Sequence, residues 1–140
     1  MAFVQSSGKV TVEWYRKAAS TVFTNGALCG TNGTGEIIPA TSTSTTHVGV
    51  IQKDIAATDS DYASTTLVPV LVPTDETEWE IDVTTGTATE ATEGTYVDLT
   101  NSLGVDVSAS AHDAVFVTKF VSGSKIIGKI NSFVGYKNAV

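Results

Sequence analysis

A small, single-domain, all-β fold is what this chain of 140 residues predicts. Ser and Thr supply a quarter of it, Gly is frequent and Leu scarce, a balance that favours strands and turns over helices. Apolar residues alternate with polar ones in several short runs, as half-buried strands require. No segment carries a sustained helical stripe with caps, and only Asp59 to Thr65 offers one short turn. Many short strands at this spacing build a barrel or a sandwich, and alternation alone does not choose between them.

Residues 1–8 are polar and lack a period, so they are expected to form an extended N-terminal arm that orders only on contact, ahead of one β-rich domain over 9–140. The first strand is expected at Val10-Thr11-Val12-Glu13-Trp14-Tyr15, with Val10, Val12 and Trp14 on one face and Thr11, Glu13 and Tyr15 on the other. Thr21-Val22-Phe23-Thr24 and Ala27-Leu28-Cys29 flank Asn25-Gly26, and a second pair, Asn32-Gly33, follows; both are hairpin punctuation, because their residues tolerate positive φ. After a Thr/Ser loop over 40–46, the run His47-Val48-Gly49-Val50-Ile51 resumes the sheet.

Pro69 and Pro73 lie four apart in Leu67-Val68-Pro69-Val70-Leu71-Val72-Pro73, so both missing N–H groups fall on one side of the strand and predict a sheet boundary there. Glu78-Trp79-Glu80-Ile81-Asp82-Val83 is the most regular segment, apolar on one face and acidic on the other. A Thr-rich loop over 84–93 leads to a strand at 95–99. A hairpin closes the series, 114–121 and 125–130 around Ser122-Gly123-Ser124.

The net charge of −7 is unevenly spread: no Lys or Arg occurs between Asp54 and Asp113. Nucleic-acid binding is disfavoured, since phosphate contacts need clustered cations. The single Cys29 forms no internal disulfide and is expected to be a small buried hydrophobe; no Cys/His spacing suits zinc, so neither metal nor cofactor is expected. No basic cluster followed by an apolar run predicts export, and no run of about 18 apolar residues predicts a membrane helix.

Candidate chemistry is sparse. Gly30-Thr31-Asn32-Gly33-Thr34-Gly35 lacks the Gly-Lys-Ser/Thr ending of a phosphate loop and is expected to be a turn. Asp54, Asp59 and Asp61 lack the spacing of a calcium loop. His112-Asp113 is a tempting acid/base pair, and His47 a second imidazole, but adjacent strand residues point to opposite faces. Trp14, Tyr15, Tyr62 and Trp79 are expected to serve packing or an interface rather than a sugar platform. No catalytic residue is assigned, and the chain is not expected to be an enzyme.

The order of His47-Val48-Gly49-Val50-Ile51, the loop 56–62, the run ending in Val72-Pro73, then Trp79-Glu80-Ile81-Asp82-Val83 and Gly94-Thr95-Tyr96-Val97-Asp98-Leu99 resembles small structural proteins of tailed bacteriophages. The likeness spans roughly residues 45–131 and is to capsid decoration, or cement, proteins with a β-tulip-like barrel. It implies a homotrimer, made in the host cytoplasm, that binds the major capsid protein at three-fold or quasi-three-fold positions on the outside of the virion and stabilises the shell, with neither nucleic acid nor membrane as partner. Capsid contact would involve Phe3, Val4 and Gln5 of the arm and Lys9, Trp14, Tyr15 and Arg16 at the first strand. The alternative is a head-fibre, tail or receptor-binding module that recognises glycans.

Overall fold

The computed structural model describes residues 2–131, and over these the chain is all-β. Met1 of the expected arm and residues 132–140 of the expected domain, Lys137 among them, lie outside the described residues. The strands are β1 (Phe3–Ser7), β2 (Val10–Arg16), β3 (Leu28–Thr31), β4 (Ile37–Pro39), β5 (Gly49–Ile51), β6 (Leu67–Pro73), β7 (Glu78–Thr85), β8 (Tyr96–Asn101), β9 (Gly104–Asp106), β10 (Val115–Ser122) and β11 (Lys125–Ile130). One 3-10 turn, Glu90–Thr92, interrupts them.

β7, β11, β10, β8 and β9 pair in that order, and β9 returns to β7 through the parallel pair Val83↔Val105, so five strands close into a barrel. Period-2 patterning dictates its inside: Trp79, Ile81, Val97, Leu99, Val115, Val117 and Ile126 are buried, each worth about 1.5–3 kcal/mol of apolar transfer. The carboxylates of β7 point outward, where Lys125 Nζ reaches Asp82 at 3.0 Å and Glu80 at 3.4 Å.

The second sheet runs β2-β6-β5-β3-β4. Its inner face, with Cys29, Ile37, Ile51, Val68, Val70 and Val72, packs on Phe23 and Ile55. Its outer face carries Leu28 and Val50 into the core shared with the barrel. Strands β5 and β6 approach so closely that a Cβ at Gly49 would overlap the Leu71 carbonyl oxygen.

Three expectations need correction. Residues 3–7 are a strand of the chain's own sheet rather than an extended arm: β1 pairs antiparallel with β7 (Phe3↔Ile81, Gln5↔Trp79), on the edge of β7 that β9 occupies further along. Burial of the Phe3 ring, 1% exposed, drives this, and Gly8 at φ +83° turns the chain into β2. Strand β6 is interior, between β2 and β5, despite its prolines. Gln52 N–H donates to the Pro69 carbonyl at 3.0 Å, so the side lacking N–H faces β5, and that strand is short enough to pair only with Val70 and Leu71. Residues 21–24 form no strand; Phe23 makes an isolated bridge to Ile55, although the Asn25-Gly26 turn is present with Gly26 at φ +90°.

Candidate functional site

The feature that stands out from the packing is the outer edge of β2. Its seven residues pair with β6 in an unbroken register from Val10↔Pro73 to Arg16↔Leu67. Immediately beyond, Lys17 N–H donates to the Thr66 carbonyl at 3.0 Å, which fixes the ladder parity. Thr11, Glu13 and Tyr15 therefore exchange main-chain bonds with β6, while the N–H and C=O groups of Val10, Val12, Trp14 and Arg16 point away from it. Among the described residues no strand pairs with that side of Val10, Val12 or Trp14; at its end the parallel bridge Lys17↔Ile37 brings in Ile37 of β4, with Ala18 N–H donating to the Ile37 carbonyl at 3.0 Å.

The side chains along this edge are apolar where solvent-exposed strands are usually polar. A single row crosses the sheet from Leu28 through Val50 and Leu71 to Val12, fully buried at its first two members and 54% exposed at its last. Beside it Trp14 is 61% exposed, cross-strand from Pro69, and exposed Leu67 lies opposite Arg16. Arg16 makes no ion pair among the described residues. An open main-chain ladder flanked by a large exposed aromatic and an unpaired guanidinium is equipped to accept an extended segment as an additional strand.

The sequence-predicted contact residues do not form one surface. Phe3 is in the core and is removed from the surface set. Val4, 40% exposed, projects from β1 opposite Glu80, and Gln5 Nε2 donates to the Gly8 carbonyl at 2.7 Å. Lys9 is exposed at the start of β2, where its carbonyl accepts from Thr77 Oγ1. Tyr15 faces inward against the second-sheet core, and burial followed by the Glu13 charge raises its phenol pKa. Trp14 and Arg16 share the open outer face.

The other candidate groups are engaged in structure. Asp54 caps Asn25 N–H at 2.7 Å, Asp59 caps Ala56 N–H at 2.8 Å, and Asp61 pairs with Lys53 at 3.2 Å, and no cluster able to hold a metal occurs among the described residues. Asn32 Oδ1 accepts the Thr34 N–H within the β3–β4 turn. Cys29 is buried, and burial pushes its thiol up to about 12 against the opposing Gly49 contact, which leaves it inert.

Sequence reasoning missed two buried polar devices. Asp98, on β8, accepts N–H bonds from Ala111 at 2.9 Å, His112 at 2.7 Å and Asp113 at 2.9 Å, so His112 is turned toward Asp98 at 3.5 Å and away from its chain neighbour. Lys17, fully buried, donates to the carbonyls of Tyr62 at 2.9 Å and Ser64 at 2.6 Å and pins the 56–65 loop over the end of the second sheet. A polar residue at an alternation position of β8 was the only signal for the first. Nothing local signalled the second.

No protein-family model matches the chain, and a search of curated proteins finds no match.

Proposed function

We propose that this chain is a non-enzymatic structural protein of a tailed-bacteriophage virion, a decoration protein that binds the outer capsid surface through the open edge of β2. The observation that carries the reading is that edge: Val10, Val12 and Trp14 turn main-chain groups outward with no strand paired to them among the described residues, and the Val12 and Trp14 side chains beside them are exposed. An extended segment of the major capsid protein adds to it as a strand, the main chain supplying affinity and the Trp14–Pro69–Leu67 surface supplying side-chain contact. Arg16 adds a cation to a rim whose chain is otherwise acidic. Three copies around a three-fold or quasi-three-fold axis make three such contacts, and their combined avidity reinforces the shell even where each is weak. The protein is made in the host cytoplasm and ends on the capsid surface.

Light scattering of the purified protein, followed by co-sedimentation with undecorated tailed-phage heads, tests this. A trimer, or a monomer that trimerises on heads, with saturable binding is the expected result. A chain that folds but never sediments with heads overturns it.

A further inference from the structure

We propose that the cleft at one end of the barrel, between the 3-10 turn Glu90–Thr92 and residues 107–110, binds a neutral carbohydrate. The proposal is independent of shell attachment, since the cleft is built from other strands than β2. Its volume, about 390 Å³, suits a small ligand of one or two rings. None of its lining residues is charged, which disfavours an ionic ligand, and hydroxyls dominate its wall, which disfavours a purely apolar one.

The hydroxyls are set in complementary roles. Thr92 Oγ1 accepts from Thr89 N–H at 3.0 Å, which leaves its own O–H to donate outward. Thr95 Oγ1 donates to the Thr92 carbonyl at 2.6 Å and Ser108 Oγ donates to Asp106, so both retain acceptor lone pairs. A sugar hydroxyl donates and accepts at once, and such a mixed wall matches it. Tyr96, 46% exposed, borders the same cleft, its ring braced against Phe116 with centroids 5.0 Å apart at 58°. That ring offers the apolar face on which the C–H side of a pyranose packs.

Both walls are tied to the barrel before any ligand arrives. Gly94 N–H donates to the Val117 carbonyl at 2.8 Å, Val107 N–H to Thr85 at 3.2 Å and Asp98 N–H to Ala109 at 2.9 Å. Little ordering remains to oppose binding.

Titration of the isotope-labelled protein with glucose, galactose, mannose, N-acetylglucosamine, maltotriose, cellotriose and chitotriose, followed by amide chemical shifts into the tens of millimolar, tests the proposal. At least one sugar is expected to shift the Thr92, Thr95, Ser108 and Ser110 amides saturably. Tyr96→Ala weakens that binding about tenfold or more, equivalent to about 1.4 kcal/mol, Tyr96→Phe retains it and Trp14→Ala leaves it unchanged. The proposal is overturned if no sugar in the panel shifts these amides, if shifts scatter over the surface, or if Tyr96→Ala melts and binds like the parent.

Discussion

The barrel and the second sheet each contain five strands, and they treat their edges in opposite ways. In the barrel, β7 is paired along both sides, by β11 on one and by β1 then β9 on the other, so its ladder is used up. Among the described residues the second sheet meets itself only at its end, where Lys17 and Ala18 touch Ile37. The cause is length: β4 has three residues, ends in Pro39, which has no N–H, and cannot cover a seven-residue β2. Both sheets bury an apolar core, and among the described residues the outer side of β2 is a long stretch of the second sheet left without a strand partner.

The comparison breaks first at its tightest point. Gly49→Ala is expected to cost about 3 kcal/mol or more, because β5 and β6 must separate to clear the Leu71 carbonyl; urea unfolding measures it. Next comes a matched pair on β2. Thr11→Pro removes a bond to β6 and is expected to lower stability by about 3 kcal/mol, whereas Val12→Pro removes only an outward-facing N–H and shifts the melting temperature by less than about 5 °C. Equal losses for the two would show that β2 has no open side.

Asp98→Asn leaves N–H groups of the 111–113 turn poorly paired and is expected to cost about 1–3 kcal/mol in the barrel. Burial by itself raises the Asp98 carboxyl, and the N–H donors of His112, Asp113 and Ala111 more than offset it, holding the group below the usual carboxylate range. A depressed carboxylate binds its proton more readily when unfolded. Its contribution is therefore complete above about pH 4 and is lost as pH falls through the lower folded value, a slope that Asp98→Asn abolishes in acid titrations of stability.

The smallest effect belongs to the second sheet. His47 is buried with Nδ1 3.0 Å from the Asn131 carbonyl, so Nδ1 carries the proton, and buried Nε2 has no partner among the described residues. Burial lowers its pKa, against the opposing Asn131 contact. The unfolded chain takes up this proton first, so stability declines as pH falls below about 6.5 towards the lower folded value. His47→Gln is expected to flatten denaturation midpoints across that window.

Much of the barrel was legible in the chain because β7 and β11 alternate with a period of two and β10 does so up to Val117, around a recognisable turn; the register shifts further along β10 carried no signal. The arm was misread because Gln5, Ser6 and Ser7 are polar and a single Phe3 carries the burial that orders them. The prolines of β6 were misread because the limit on pairing comes from its partner, β5, whose length depends on tertiary context. The exposure of Trp14 and Arg16 follows from alternation along β2, but which edge of their strand is free depends on the pairing of β4, which begins at Ile37, well beyond any local pattern. The Asp98 and Lys17 networks join residues brought together only by folding.

Amide hydrogen exchange along β2, free and on undecorated heads, tests the central claim most directly. Thr11, Glu13 and Tyr15 are expected to be protected in both states, while Val12, Trp14 and Arg16 exchange rapidly in the free protein and become protected on the particle. Rapid exchange at Val12, Trp14 and Arg16 in a head-bound protein would contradict strand addition at this edge.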